Sequence, residues 1–315
     1  MILNSDDNRP PHFHIMLSTY NGGNHLQDLL NSICNQTYKK FTIYIRDDGS
    51  SDYTLDIITS YIKQSTMVIK TYYDNLDNLG PSKSFNQLLQ YVIYSLDQDL
   101  PNNYFLFADQ DDYWLPNKLE IIKNYIDNNV TSSQPSLIYS DLEIVDSNLK
   151  SIHSSFMSYQ GINPQKNKPH QIALINTVVG CTAAFNSQLA RLCLTQPKEA
   201  IMHDWWLALV AAAHGRMHYI DLPLVRYRQH TSNSIGAHAR KKKSIMRWIR
   251  DVRFQHGIEF HYKIALQTKA FIKCHSRYCG KRERFLLKQI GYLATSNKAL
   301  RTLNLILVKL NYLIP

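Results

Sequence analysis

The clearest indication of the fold is the stretch Tyr104-Phe-Leu-Phe-Ala-Asp-Gln-Asp-Asp-Tyr-Trp-Leu-Pro116. Its first half, Tyr104–Ala108, is a short aromatic and aliphatic run, which predicts a fully buried strand of a parallel sheet. Three carboxylates follow at once, those of Asp109, Asp111 and Asp112. Pro116 then predicts the start of a helix, because the N–H that proline lacks has no partner in a first helical turn.

These three acids lie where an open α/β sheet binds ligands, just beyond the carboxyl end of a strand. Crowded carboxylates repel one another unless a cation or hydrogen-bond donors hold them. Mg²⁺ and Mn²⁺ favour oxygen ligands, and Mg²⁺ usually binds together with substrate phosphates. The pattern therefore predicts a divalent-metal site for a phosphorylated ligand, and the alternative is an acidic surface turn.

The segments before this stretch alternate between strand-like and helix-like patterns. In chain order they are Phe13–Thr19, His25–Asn35, Phe41–Arg46, Leu55–Ile62, Met67–Tyr73 and Ser84–Leu96. Such alternation implies right-handed crossovers and a parallel, doubly wound sheet. A second acidic pair, Asp47-Asp48, follows the second strand, so it is predicted to lie at the same sheet edge as Asp109.

The pattern is less regular after residue 129. It predicts strands over Leu137–Asp141, Thr177–Phe185, Met217–Ile220 and Leu224–Tyr227, a short helix from Ser187, and a helix over His203–His214. A third acidic site, Asp204, lies at the start of that last helix. Beyond residue 236 the sequence is helical in pattern and basic.

Charge divides the chain into two parts. Residues 1–235 carry 17 Lys and Arg against 22 Asp and Glu, whereas residues 236–288 carry 15 against 3. We therefore predict a catalytic or binding domain over 1–235 and a separate basic helical region over 236–315. That region could contact an anionic membrane surface, or pack on the domain as an ordinary helix. Nucleic acid is not predicted as a partner, because no recognisable binding module is present.

Several classes of protein are excluded by what the sequence lacks. Residues 1–11 are polar and unlike a signal peptide, and no run approaches the ~20 apolar residues of a membrane span. Five scattered cysteines suggest reduced thiols in the cytoplasm. Neither a Gly-x-Gly-x-x-Gly nor a Gly-x-x-x-x-Gly-Lys-Ser/Thr loop is present, so dinucleotide binding and ATP hydrolysis are not supported.

Eight segments, in order, resemble glycosyltransferase family 2, and in particular its rhamnosyltransferase-like branch. They are Leu17-Ser-Thr-Tyr-Asn-Gly22, Asn35-Gln-Thr-Tyr38, Asp47-Asp-Gly-Ser-Ser-Asp52, Asp109-Gln-Asp-Asp-Tyr-Trp-Leu-Pro116, Tyr139-Ser-Asp-Leu142, Gly180-Cys-Thr-Ala-Ala-Phe185, His203-Asp-Trp-Trp-Leu-Ala-Leu209 and Tyr227-Arg-Gln-His230. The resemblance, over about residues 13–238, implies a GT-A fold: a Rossmann-like, mostly parallel sheet with helices on both faces. It places a nucleotide-sugar half at about 13–115 and an acceptor half at about 116–235.

The resemblance also implies roles for individual residues near the donor. The nucleotide-binding set is Ser18, Tyr20, Asp48, Lys83, Asp109 and Gln110. Within it, Tyr20 would stack on the base and Asp48 would accept a hydrogen bond from a pyrimidine N–H. The metal (Mn or Mg) would be held by Asp111 of the D-x-D motif and by His230. Structural alternatives stay open, since Asp48 could cap a turn and a lone His is often structural.

On the acceptor side the resemblance implies one catalytic residue, Asp204, as the base that inversion requires. A helix N-terminus would favour its ionised form. The residues implied to contact the acceptor, or to support the residues that do, are Asp112, Asp141, His203, Trp205 and Trp206. Many members of the family have an acidic residue directly before this Asp, and here the residue is His203. Of the two tryptophans we expect one to line the acceptor and one to pack in the core.

Together these features predict an inverting, metal-dependent glycosyltransferase that moves a single sugar, such as L-rhamnose from dTDP-rhamnose, to a lipid-linked or surface-polysaccharide acceptor. One alternative is a UDP-hexose donor on the same fold. Another is a non-catalytic nucleotide-sugar or glycan-binding protein. We predict a cytoplasmic location, with peripheral contact to the inner face of the membrane through residues 236–315.

Overall fold

The structure is a computed structural model that describes residues 9–74, 76, 78–96, 102–230 and 255–294. Its strands are β1 (His12–Thr19), β2 (Phe41–Asp47), β3 (Ile69–Thr71), β4 (Asn103–Asp109), β5 (Tyr113–Trp114), β6 (Ser136–Val145), β7 (Ser151–His153), β8 (Ala184–Asn186) and β9 (Arg216–Arg228). The α-helices in these ranges are α1 (Gly23–Cys34), α2 (Thr54–Gln64), α3 (Pro81–Ser95), α4 (Lys118–Asn129), α5 (Phe156–Gln160), α6 (Pro169–Leu174), α7 (Ser187–Cys193), α8 (His203–His214), α9 (Gln255–His275) and α10 (Lys281–Gly291).

All the strands belong to one sheet, in the order β3-β2-β1-β4-β8-β6-β9-β5, with β7 paired to β6. The first four in this order run parallel, and β6 and β9 are also parallel. Between these two parallel groups β8 pairs antiparallel with both neighbours. The predicted α/β class with a mostly parallel sheet is confirmed.

Helices cover both faces of the sheet, because the central strands are apolar on both sides. Phe13, Ile15 and Leu17 of β1 pack into one core cluster with α1 and α4. Met16 of β1 and Phe105 of β4 point the other way, into a second cluster with α3 and α8. Strands buried on two faces have no polar alternation, which is why the sequence shows them as continuous apolar runs.

Some predicted elements are wrong in detail. The strand predicted over Thr177–Phe185 is a 3₁₀ turn (Gly180–Thr182) followed by the three-residue β8. The two strands predicted after residue 216 form the single strand β9. In α2, which leads to the edge strand β3, Leu55 and Ile62 are 43% and 37% exposed instead of facing the core.

The C-terminal helices α9 and α10 pack on the first domain. Ile264 and Phe271 of α9 and Leu287 of α10 belong to the same core cluster as Trp206 of α8. Packing, one of the two predicted alternatives for the basic region, is therefore what its described residues show. The most basic segment, 240–254, lies outside the described residues. None of the helices in the described ranges is long and apolar enough to cross a bilayer.

Two glycines give a matched test of the packing. A Cβ at Gly215, the C-cap of α8, would lie 1.8 Å from the carbonyl oxygen of Pro135, whereas a Cβ at Gly280 would meet nothing within 4 Å. We expect Gly215→Ala to lower the free energy of unfolding by about 1–3 kcal/mol through overpacking. Gly280→Ala should change it by less than about 0.5 kcal/mol. Urea unfolding checks both, and equal midpoints would contradict the prediction.

Candidate active site

The carboxyl ends of β1, β2 and β4 lie side by side and bring the first two acidic clusters to one sheet edge. Ser18 of β1 is in register with Asp109, and Thr19 is in register with Asp47. Neighbouring strands are about 4.8 Å apart, so the side chains that follow these strands lie around one rim. This is the arrangement that the sequence pattern predicts.

Gln110 links the loop that follows β4 to the loop that follows β1 at this sheet edge. Its Nε2 donates to the carbonyl oxygen of Tyr20 at 2.9 Å, and its Oε1 accepts the Tyr20 N–H at 2.8 Å. Gly22 leaves room for this contact, because a Cβ there would lie 2.2 Å from Gln110 Oε1. The amide of Gln110 is thus used within the protein, although the resemblance places it in the nucleotide site. The Tyr20 ring is 47% exposed and presents a surface on which a base could stack.

Asp48 is more enclosed than its implied role suggests. It is 2% exposed and accepts hydrogen bonds from the buried guanidinium of Arg46 and from the N–H of Gly80 at 2.9 Å. Arg46 also makes a two-pronged contact with Asp74, at 2.9 and 3.0 Å. The N–H groups of the turn itself, those of Gly49 and Ser50, donate to Asp47 and not to Asp48, and the role of Asp48 toward a pyrimidine N–H stays a prediction.

The remaining predicted base-side residues are Ser18, near the end of β1, and Lys83, at the start of α3. The Ser18 hydroxyl is 2.5 Å from the hydroxyl of Ser84, which also accepts from Arg46 at 2.8 Å. Lys83, the residue before Ser84, is exposed to solvent. Ser18 is therefore part of the Arg46 network, whereas Lys83 is accessible to an anionic ligand.

Asp111 and His230, the predicted metal ligands, are in direct contact. His230 Nε2 lies 2.8 Å from Asp111 Oδ2, and both side chains are partly exposed. The buried Arg228, at the end of β9, holds the turn by donating to the Asp111 carbonyl oxygen at 2.9 Å and to Asp28 at 3.0 Å. Imidazole nitrogen and carboxylate oxygen are both ligands for Mn²⁺, so this pair fits a divalent cation.

A second group of possible ligands lies deeper. One atom each of Asp109, Asp112 and Cys181 lie within 4.8 Å of one another, and the last two residues are fully buried. Burial and the neighbouring Asp111 and Asp109 raise the pKa of Asp112 well above its usual range. Lys118, also buried, places its ammonium 3.3 Å from the Trp114 ring centroid and donates to the Cys181 carbonyl oxygen at 2.7 Å. Burial lowers the Lys118 pKa to about 7.

Asp204, the predicted base, is the second residue of α8. Its Oδ2 accepts the Gly180 N–H at 3.0 Å, and its Oδ1 accepts the Trp205 N–H at 2.6 Å. Burial nevertheless raises its pKa to about 6, so burial outweighs the helix terminus that was expected to favour ionisation. The charges of Asp111 and Asp204 both contribute to the raised pKa of Asp109, about 7. Gly180, whose N–H Asp204 accepts, directly precedes Cys181, so Asp204 lies beside the Asp109–Asp112–Cys181 group.

Apart from Asp112, the other predicted acceptor-side residues contact residues within the fold. His203 lies between Phe85 and Phe107, with ring centroids 4.3 and 4.5 Å away, and burial lowers its pKa to about 3. Trp205 and Trp206 are both buried, so neither presents a face to a sugar. Asp141 accepts from the Ser155 hydroxyl at 2.5 Å and from the Met157 N–H at 3.1 Å, and so fixes the start of α5.

Comparison with known proteins identifies the family. The model of the family described as "Glycosyl transferase family 2" matches residues 14–191, more than half of the chain. The chain belongs to glycosyltransferase family 2. This assignment confirms the resemblance, and with it the class of enzyme.

Two curated relatives of this family 2 glycosyltransferase have specific names. The dTDP-rhamnosyl transferase RfbG of Shigella flexneri is 28% identical over 230 residues, which cover 70% of this chain and 74% of RfbG. The UDP-Glc:alpha-D-GlcNAc-diphosphoundecaprenol beta-1,3-glucosyltransferase WfgD of Escherichia coli is 27% identical over 168 residues, 53% of this chain and 56% of WfgD. The chain thus spans little more than half of WfgD.

Solved structures of similar fold include two complexes with UDP or a UDP-sugar. TarS 1–349 of S. aureus, in complex with UDP-GlcNAc, has a TM-score of 0.56 at 15% identity, covering 96% of this chain and 91% of that one. GalNAc-T7, with UDP, GalNAc and Mn²⁺, has a TM-score of 0.57 at 13% identity, covering 93% and 59%. At these identities the likeness concerns the fold, and it confirms the predicted GT-A architecture.

Several residues that build the site were not predicted from the sequence. They are the buried cations Arg46, Lys118 and Arg228, with Cys181 and the Gly180 N–H. For Arg46 a signal was available, because a charged residue inside an apolar central strand requires an acidic partner. The partners of Lys118 and Arg228 come from distant parts of the chain, and no local pattern indicates them.

Proposed function

We propose that this family 2 glycosyltransferase moves one sugar, with inversion, from a nucleotide-sugar to an acceptor hydroxyl, and that it requires a divalent metal. The observation that carries the proposal is that Asp204 accepts the Gly180 N–H at 3.0 Å, while the next residue, Cys181, has an atom within 4.8 Å of atoms of Asp109 and Asp112, so that the base and the acidic cluster border one space at the sheet edge. Such a space holds, on one side, the acids that a metal diphosphate needs and, on the other, a single carboxylate able to take a proton.

Asp111 and His230 are the residues proposed to hold the cation, Mn²⁺ or Mg²⁺. When bound, the cation supplies positive charge that stabilises the departing diphosphate. Mn²⁺ accompanies UDP in the GalNAc-T7 structure, which supports a metal at this edge of the fold. Tyr20 is proposed to stack on the base, with Lys83 near it.

Asp204 is proposed to accept the proton of the attacking hydroxyl. Inversion needs attack from the face opposite the leaving diphosphate, and one base within about 2.6–3.2 Å of that hydroxyl is sufficient. The N–H groups of Gly180 and Trp205 fix the carboxylate, so its orientation is set before the acceptor binds. The proton is held on Asp204 after the sugar–oxygen bond forms.

For the donor we propose dTDP-L-rhamnose, and for the acceptor a lipid-linked glycan. The first rests on RfbG, whose name states a dTDP-rhamnosyl donor and of which the chain spans 74%. The second rests on WfgD, whose name states a diphosphoundecaprenol-linked acceptor. WfgD also favours the rival donor, UDP-glucose. The alternative that involves no catalysis is a glycan-binding protein without transferase activity.

A screen of nucleotide-sugars tests these proposals. Hydrolysis of dTDP-rhamnose, UDP-glucose and UDP-galactose is measured without acceptor, with Mn²⁺ and with EDTA. We expect metal-dependent turnover of dTDP-rhamnose that Asp204→Asn reduces when acceptor is supplied. Turnover of UDP-glucose alone would replace the proposed donor. Tight binding of a nucleotide-sugar without turnover under any condition would overturn the catalytic proposal and favour the non-catalytic binding protein.

The raised pKa of Asp204 predicts the pH dependence of transfer. A base acts only when deprotonated, and burial raises the pKa of this carboxyl to about 6. We therefore expect kcat/KM to be constant above pH 7 and to fall about tenfold per pH unit below pH 6. The pH profile of transfer, measured with saturating metal, checks this. A profile that stays flat to pH 5 would show that another group is the base.

We also propose that the basic region 236–315 holds the enzyme on the cytoplasmic face of the membrane. Its described part presents Lys281 and Lys288 to solvent on α10. Deleting the region would uncover the core it shares with α8, so charge reversal is the cleaner test. We expect Lys281→Glu with Lys288→Glu to weaken flotation with anionic liposomes, whereas the exposed control pair Lys63→Glu with Lys150→Glu should not. Equal flotation would remove the proposal.

A further inference from the structure

Gln267, on α9, is a fully buried polar side chain in the region that the sequence separates from the catalytic domain. Its Oε1 accepts a hydrogen bond from the backbone N–H of Ile201 at 2.8 Å. Its Nε2 has no partner in the described part of the chain. Burying an amide without full hydrogen bonding is costly. The contact with Ile201 is therefore the specific interaction that this side chain provides.

Ile201 belongs to the short segment that leads into α8, three residues before Asp204. The N-cap of α8, Met202, has no side-chain hydrogen bond to the first turn. A side chain at the N-cap that accepts a hydrogen bond from the first turn usually fixes where a helix begins. In this protein Gln267 holds the lead-in segment from a different helix, at the point where a capping side chain is absent.

Aromatic contacts between α9 and α8 extend this support. Phe260 lies against Trp205, with ring centroids 6.0 Å apart, and Phe271 lies against Trp206, with centroids 6.1 Å apart. At the other end of α8, His214 and His275 approach within 2.9 Å. Since α9 contacts α8 from its lead-in segment to its last residue, the position of Asp204 depends on α9.

We propose that Gln267 is a positioning residue for Asp204, and that residues 255–294 are part of the catalytic unit. The inference rests on the proposed role of Asp204. A base acts over a hydrogen-bond distance, and a shift of 1 Å can reduce the rate about 100-fold. Losing the acceptor at Gln267 leaves the Ile201 N–H without its partner and releases the segment that sets the start of α8.

The neighbouring residue Thr268 offers a matched control. It is also fully buried, and its hydroxyl donates to the Ile264 carbonyl oxygen within the same helix, at 2.7 Å. Gln267→Met removes the acceptor and keeps the shape of the side chain, whereas Gln267→Glu keeps an acceptor oxygen. Thr268→Val removes a buried hydrogen bond that does not reach α8.

The experiment uses the full chain and measures kcat, donor KM and the thermal midpoint. We expect Gln267→Met to lower kcat about 10- to 100-fold with an unchanged donor KM, because Gln267 contacts the segment before α8, whereas the nucleotide base is proposed to bind beside Tyr20 and Lys83. Gln267→Glu should recover part of the loss. Thr268→Val should lower only the midpoint. If Gln267→Met matches Thr268→Val in both kcat and midpoint, Gln267 is merely structural and the inference is overturned.

Hydrogen exchange of the peptide spanning 201–206 gives a second readout, which needs no turnover. Gln267→Met should accelerate exchange there and Thr268→Val should not; equal exchange would overturn the inference. Failure of the wild type to use any donor would contradict the proposed function, and the exchange data would still decide the role of Gln267. If Gln267→Met does not fold, Gln267→Asn, which keeps the amide but shortens its reach, replaces it in both measurements.

Discussion

Asp204→Asn is expected to lower kcat for sugar transfer by about 10²- to 10⁴-fold, the usual contribution of a general base. Asparagine keeps the size of the side chain and one acceptor oxygen for the N–H groups of Gly180 and Trp205. It cannot take up the acceptor's proton. The donor KM should change little, because the nucleotide is proposed to bind beside Tyr20 and Lys83, across the rim. Initial rates with saturating donor and metal measure both constants.

The exposed carboxylate of Asp221, on β9, provides the control for this substitution. Asp221→Asn removes the same charge at a distance from the rim and should leave kcat unchanged. If Asp204→Asn transfers sugar at the wild-type rate, Asp204 is a structural residue of the α8 terminus. The raised pKa of Asp109 would then point to that carboxyl as the next candidate base.

The first half of the fold is readable from sequence because its central strands are buried on both faces. β1, β2 and β4 appear as apolar runs within one or two residues of their true ends. The rule that ligands bind beyond the carboxyl ends of such strands then places the acids of Asp47–Asp48 and Asp109–Asp112 together. The apolar runs and the rule on ligand position are sufficient here, because β1, β2 and β4 are neighbouring parallel strands.

The second half is harder to predict because its pairing is non-local. β8, only three residues long, lies antiparallel between β4 and β6, and its length gives no periodicity to recognise. The sequence shows an apolar run over 177–185 but does not reveal that this run contains a 3₁₀ turn, Gly180–Thr182, and only the first two residues of β8. That turn is nevertheless important, since it delivers the Gly180 N–H to Asp204.

Burial in the acceptor half is decided by residues far along the chain. The sequence predicts that one of Trp205 and Trp206 lines the acceptor site, because a domain that ends at 235 supplies nothing to cover it. Phe260 and Phe271 of α9 cover them instead. For the same reason Asp48 could be assigned from a motif, but its contact with the Gly80 N–H, which comes from the loop before α3, could not.

Asp111→Asn is expected to abolish most of the metal dependence of both stability and transfer. Its carboxylate lies 2.8 Å from the His230 imidazole and, unlike the buried carboxyl group of Asp112, is partly exposed. Losing even an outer partner of a metal ligand typically costs 10- to 100-fold in affinity, so losing a direct ligand should cost about 100-fold or more. The midpoint of thermal unfolding, titrated with Mn²⁺ in the presence of UDP or dTDP, measures this without catalysis.

The same titration separates the two possible metal groups. Asp111→Asn also removes a charge that repels Asp109 and Asp112, so without metal the variant should be at least as stable as the wild type. Asp127→Asn, on the outer face of α4, is the control and should keep the full Mn²⁺ shift. If Asp111→Asn keeps that shift and Cys181→Ser loses it, the cation binds in the buried Asp109–Asp112–Cys181 group, and the proposed pair of ligands is wrong.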